Sequence, residues 1–377
     1  MSATTSDHSE TRANTPAVST RAVVITRGGA LDALRFVAAL FVVVFHYRTT
    51  APIPLQDLHL VWSRGHLATG FFILISGFAL ARTYGAPLLS RRLSPVRFWA
   101  KRFWRIYPAH IITLLMFMVL VAAATAIGSP PAHPENFPIS GLPAQVFMLQ
   151  AFGFGSEQWN IPTWTLSVLL VLYAIFPWLW RLVAKITSAT LVLALALALL
   201  AASQALSLSL LDQSVFSLSG HWVIARGLPL FLCGLLLARA LEQMPPSAHL
   251  NRLIALAGVI MLLTDVLWLH SDLAAFASIG ILTLGLGGLA HGRAIPAAAW
   301  GAKISFPLFI THSLTGAVLF AGLYPIAERL MPALFSGPTA WAMWGAAIVA
   351  ALIAATLFDR LIDAPLQRFI RRRWFSA

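Results

Sequence analysis

The chain has 377 residues, 59% of them hydrophobic and only 10% charged, with a mean hydropathy of +0.80. A soluble domain carries about 25% charged residues and could not hide this much apolar surface in one core, so a soluble globular class is excluded. The net charge of +13 raises nucleic acid as a partner, but the basic residues cluster between apolar runs, which fits membrane orientation and argues for no nucleic acid.

Residues 1–28 are polar, rich in Ser, Thr and Ala, and read as a disordered tail without the apolar core of a cleaved signal peptide. The first apolar stretch follows, LDALRFVAALFVVVFHY at 31–47, with Asp32 and Arg35 near its start and His46 near its end. Arg35 and His46 are eleven residues apart. At about 100° per residue that is three full turns plus about 20°, so both side chains share one helix face, separated by roughly 16 Å along the axis. An arginine at mid-depth costs about 2.5–3.5 kcal/mol and usually faces a bundle interior or a watery cavity. The competing reading has Arg35 snorkelling to a lipid headgroup and His46 resting in the opposite interface.

Nine further apolar spans follow at about 66–82, 106–127, 163–183, 187–209, 220–241, 252–270, 273–290, 304–323 and 339–361. Residues 139–153 are only weakly apolar and are expected to form an interfacial helix rather than an eleventh span. The fold class is therefore all-α, a polytopic transmembrane helical bundle of about ten spans. With the N-terminus inside, the tail, Arg35 and the even-numbered connections hold 22 of the 26 Lys and Arg, leaving Arg48, Arg64, Arg226 and Arg329 outside. That asymmetry predicts both termini cytoplasmic, including a basic tail at 367–377, with Arg35 at the inner end of the first helix and His46 at the outer. The single cysteine, Cys233, lies in an apolar run and can form no intramolecular disulfide.

The most basic connection is 82–105, ending in Lys101, Arg102 and Arg105. Arg102 and Arg105 share a helix face at i, i+3 and could grip phosphate oxygens through planar forks; the alternative is an ordinary positive-inside loop on anionic membrane lipid. GFFILISGF at 70–78 places Ser76 and Gly77 where small residues permit close helix contact. WNIPTWTLS at 159–167 carries Trp164 and Ser167 at the outer interface, where an aromatic belt is the plain alternative. Asp265 and His312 fall inside spans and Arg226 near the outer end of another; a lone intramembrane ionisable group is either a structural hydrogen-bond partner or a functional one. No metal site is visible in the sequence.

The pattern LDALRF…FHY resembles the signature of the acyltransferase-3 family of integral membrane acyltransferases, which includes bacterial O-acetyltransferases of surface glycans. GFFILISGF at 70–78, KRFWRIYP at 101–108, WTLS at 164–167, FPLFITH at 306–312 and IDAPLQRFI at 362–370 are similar to its other motifs, in order. The family often has glutamate after WxLS-Val; here Leu169 follows Val168. The resemblance implies a transmembrane acyltransferase domain over 29–366, acyl-CoA (acetyl-CoA by default) as co-substrate with no permanently bound cofactor, a glycan or lipid-linked sugar acceptor, and a bacterial inner membrane. It implies donor binding by Lys101, Arg102 and Arg105, a catalytic pair of His46 and Arg35, and supporting positions at Asp32, Ser76, Trp164, Ser167, Arg226 and His312. A sugar hydroxyl needs a base at neutral pH, and imidazole titrates near 6.5, which suits His46 as that base; an acyl-histidine intermediate is the alternative. Two other classes compete: a proton-coupled carrier, and a non-catalytic scaffold of an envelope-polysaccharide assembly.

Overall fold

A computed structural model describes residues 29–155, 158–289 and 295–375; the expected N-terminal tail lies outside them. Among the described residues there are no strands. Ten long helices carry the fold: α1 (Ala30–Tyr47), α2 (His66–Leu89), α3 (Pro95–Ala126), α4 (Trp164–Val183), α5 (Ala189–Leu211), α6 (Val223–Gln243), α7 (Ala248–Thr264), α8 (Asp272–Gly288), α9 (Pro296–Gly316) and α10 (Gly337–Phe358). A short basic helix, α11 (Ala364–Trp374), follows. Among the described residues, nine stretches are long and apolar enough to cross a membrane, and α8 is a shorter apolar helix. The spans read from hydropathy therefore fall on real helices, because lipid leaves a backbone no hydrogen-bond partners other than its own.

Helix starts follow local chemistry. Ser94, Ser188, Ser247 and Ser271 each accept a hydrogen bond from the backbone N–H three residues on, and Pro95 occupies the first turn of α3 where its missing N–H costs nothing. Two of the helices run longer than their apolar segments. Helix α3 has 32 residues, about 48 Å at 1.5 Å per residue, so its basic first turns stand outside a hydrocarbon core about 30 Å thick. Helix α9 continues through a π-helical stretch, Ala317–Leu323, into Tyr324–Leu330.

Residues 139–153 do not form the expected interfacial helix. They break into the turns Ile139–Gly141, Leu142–Val146 and Leu149–Phe152, because Met148 and Gly153 take left-handed backbone (φ 53° and 85°).

Packing divides the bundle. Helices α2 and α6 cross so closely that a Cβ on Gly77 would meet the Phe231 carbonyl and one on Gly234 the Leu74 carbonyl. Helix α6 is the most enclosed, with 72% of its apolar window buried against 17% for the lipid-facing α7. A second apolar cluster of Ala39, Val43, Tyr47, Leu308, Ala347, Ala351 and Ala355 joins α1, α9 and α10, while Ala38, Val42, Phe309 and Ile310 tie α1 and α9 into the main core.

Candidate active site

Two groups of polar side chains lie at opposite ends of α1. At the start of the helix Arg35 approaches Asp32 at 3.8 Å and keeps 44% of its side chain accessible. Arg102 donates to the Tyr84 hydroxyl (2.7 Å) and lies over its ring, while its Nε is buried without a partner. Arg105 pairs with the nearly buried Asp363 at 2.9 Å and covers the Phe306 ring at 4.5 Å. Arg35, Arg102 and Arg105 are near enough to act on one another electrostatically, and Tyr173, paired with Ser76, shares that field. Three arginines from two helices thus converge where sequence spacing alone placed only the Arg102 and Arg105 pair. That pair shares a face yet is held by different partners. Lys101 lies one turn further out, over the Phe375 ring.

At the other end, His46 faces His312 of α9, with ring centroids 4.9 Å apart and planes tilted by 45°. His312 is fully buried. Its Nδ1 lies 3.1 Å from the Leu308 carbonyl; a carbonyl only accepts, so the proton sits on Nδ1 and Nε2 keeps its lone pair, with Ser313 Oγ at 3.4 Å. Tyr47 donates to the His312 carbonyl (2.7 Å), and Trp344 donates to the Tyr47 carbonyl (3.0 Å), so α1, α9 and α10 are tied together at the histidines.

The acyltransferase domain family matches residues 29–360. The chain belongs to the acyltransferase-3 family. Over 175 residues it is 30% identical to acyltransferase MdmB of Streptomyces mycarofaciens, covering 43% of this chain and 41% of that protein. Over 100 residues it is 32% identical to protein 2 in the picA locus of Rhizobium radiobacter, covering 26% of this chain and 49% of that one. The chain thus spans less than half the length of the curated relatives it matches. No solved structure matches it.

The remaining positions singled out in this acyltransferase-3 chain are bonded to groups other than the two histidines. Ser167 donates to the Met148 carbonyl and accepts from the Ala151 N–H (2.9 Å), so it pins the broken 139–153 segment. Arg226 is buried, stacks on Trp164 at 4.6 Å and donates to Thr69 Oγ1 at 2.7 Å. Asp265 is a structural partner: Arg64 pairs with it at 2.6 Å and with Asp272 at 3.2 Å, and His66 approaches Asp272 at 2.7 Å. Leu169, in place of the family's frequent glutamate, is buried among apolar side chains. The ring facing His46 belongs to a second histidine, His312.

Sequence reasoning missed Tyr47, Tyr84, Asn160, Tyr173 and Asp363. Tyr47 was visible beside His46 in the FHY signature and Asp363 in IDAPLQ, but nothing local marks either as a partner. Asn160 donates to the Ile310 carbonyl at 2.9 Å and leaves its buried Oδ1 unpaired, two residues from His312 along α9.

Proposed function

We propose that the protein is an integral membrane O-acyltransferase of a bacterial inner membrane. It moves an acyl group, acetyl by the family's habit, from cytoplasmic acyl-CoA to a hydroxyl of a glycan or lipid-linked sugar. The observation that carries the reading is that one face of α1 joins a cluster of arginines at one end to paired histidines at the other. The anionic head of CoA suits the arginine end, and an acceptor hydroxyl suits the histidine end. The charge asymmetry, 22 basic residues against 4, supports placing the arginine end and both termini in the cytoplasm.

In this reading Arg35 positions the donor arm. A neutral His46 nitrogen takes the hydroxyl proton while the acceptor oxygen bonds to the thioester carbonyl carbon. The carbon–sulfur bond then breaks, its electron pair leaves on sulfur, and the thiolate recovers the proton from His46. His312, its Nδ1 proton fixed on Leu308, holds the orientation of the pair.

Incubating the purified protein in nanodiscs with radiolabelled acetyl-CoA tests the reading. It expects CoA binding and either labelled acceptor or slow release of labelled acetate. Failure to bind CoA returns the chain to the carrier or scaffold class. A reporter fused at the C-terminal end should report cytoplasm and one inserted near Ser129 the outside; the same side for both overturns the orientation.

A further inference from the structure

Helix α11, to which the reaction above gives no part, is joined to the protruding start of α3, which carries the donor-side arginines. Gln367 donates to the Trp104 carbonyl at 3.0 Å. The rings of Trp104 and Trp374 lie nearly parallel, 6.2 Å apart and 13° from coplanar. Lys101 caps Phe375 at the far end and Arg105 holds Asp363 at the near end, so the two helices run antiparallel, away from the bundle.

Asp363, Gln367, Ile370 and Trp374 recur at spacings of four, three and four, which is one helical stripe, and it is the stripe that meets α3. At 100° per residue Arg371 and Arg373 fall about 70–90° to either side of that stripe, on the shoulders of the seam. Both are exposed. Between 83 and 105, and between 364 and 374, there is no Asp or Glu. The buried Asp363 is thus the one carboxylate the pair itself contributes, set against Lys101, Arg102, Arg105 and the Arg371–Arg373 run. Like charges so concentrated repel one another, and a bound polyanion relieves that repulsion.

We infer that this seam seats the nucleotide of the acyl donor, the 3′-phosphorylated adenosine diphosphate portion of acyl-CoA. The inference rests on the acyl-CoA reading above and adds a place for the part of the donor that stays outside the membrane. The diphosphate lies at Arg102 and Arg105, whose forks suit phosphate oxygens. The 3′-phosphate lies about one turn, or roughly 5 Å, further out, between Lys101 and the arginines of α11. Trp374, 61% exposed, stacks on Trp104 and has the Arg373 guanidinium 5.7 Å from its ring centre, so a purine would stack at its open edge beside that arginine. A lipid headgroup could satisfy the cations but has no ring to use the stacked tryptophans, and the seam stands outside the hydrocarbon.

The test is titration of CoA, 3′-dephospho-CoA and acetyl-pantetheine, which lacks the nucleotide, against full-length protein. It is run in zwitterionic and in anionic nanodiscs, with wild type, Arg371→Gln/Arg373→Gln and Trp374→Ala. The arginine variant changes exposed side chains, Arg373 over the Trp374 ring and Arg371 on the Gln367 carbonyl, and an unchanged melting temperature confirms that it folds. The seat predicts that this variant loses about tenfold in CoA affinity, a few-fold or less for 3′-dephospho-CoA, and nothing for acetyl-pantetheine. Trp374→Ala should weaken both nucleotide ligands alike. If wild type binds CoA and the arginine variant binds it equally well, the seat is overturned and the acyl-CoA reading stands. A loss confined to anionic nanodiscs also overturns it, since the phosphates are then those of lipid. Wild type that binds no CoA in either disc overturns the acyl-CoA reading, and the seat with it.

Discussion

His46 on α1 and His312 on α9 face each other at 4.9 Å between ring centroids, although 266 residues separate them in sequence. Neither ring is held by a carboxylate among the hydrogen bonds of the described residues, so the two imidazoles differ by their surroundings. His312 is enclosed and fixed through Leu308, whereas His46 is only half buried and free to meet a second molecule. In the function proposed above, that difference suits His46 to proton transfer and His312 to positioning.

His46→Ala should therefore lower acyl transfer by about 10²–10⁴, or roughly 3–5 kcal/mol of barrier, while CoA still binds. Single-turnover transfer alongside CoA titration reads both. Retained transfer in the variant would remove His46 from the mechanism. His312→Gln should lower kcat with little change in KM.

The Arg105–Asp363 pair permits a cleaner separation of stability from binding. Arg105→Ala should lower both CoA affinity and melting temperature, because it strands a nearly buried carboxylate. Adding Asp363→Asn should restore the melting temperature and leave the affinity low. Recovery of both together would mean that Arg105 serves the fold alone. Arg35→Lys should instead hold CoA affinity within a few-fold and depress transfer, since loss of positioning falls on kcat.

Arg64 and Asp265 anchor the start of α2 to the end of α7. Arg64→Ala leaves a fully buried carboxylate without its partner and should cost about 3–5 kcal/mol, seen as a lower thermal midpoint. Asp265→Asn added to it should recover part of that loss. An unchanged midpoint in Arg64→Ala would show that water or His66 already compensates Asp265.

Gly77→Ala and Gly234→Ala place a methyl group against backbone carbonyls of the facing helix, which cannot rotate away. Both should lower the thermal midpoint and the yield of folded protein. Gly280→Ala is the control: its new methyl would meet only a Leu237 methyl at 3.4 Å, and the midpoint should hold. Equal behaviour of all three would refute backbone contact as the reason for these glycines.

The helices were legible because membrane spans announce themselves through length and apolarity, and Ser caps mark their starts. The 139–153 segment was not, since left-handed Met148 has no signal in sequence. Pairings between helices were equally hidden: Arg64 meets a carboxylate 201 residues away and Arg105 one 258 away. Only topology brings such groups together. The structure also explains part of the charge pattern. Of the four basic residues on the sparse side, Arg64 and Arg226 turn buried, hydrogen-bonded side chains into the interior. Arg35 and His46 fall on one helix, α1, as their apolar setting indicates, but their spacing could not reveal that a second histidine stands opposite His46.

Both histidines ride on one block. The Ala-rich cluster that joins α1, α9 and α10 lies directly beneath them, while α2 and α6 are locked to each other by backbone contact. Because α1, α9 and α10 carry both rings and the hydrogen bonds beside them, a small shift of α2 and α6 would leave the spacing of the two imidazoles unchanged.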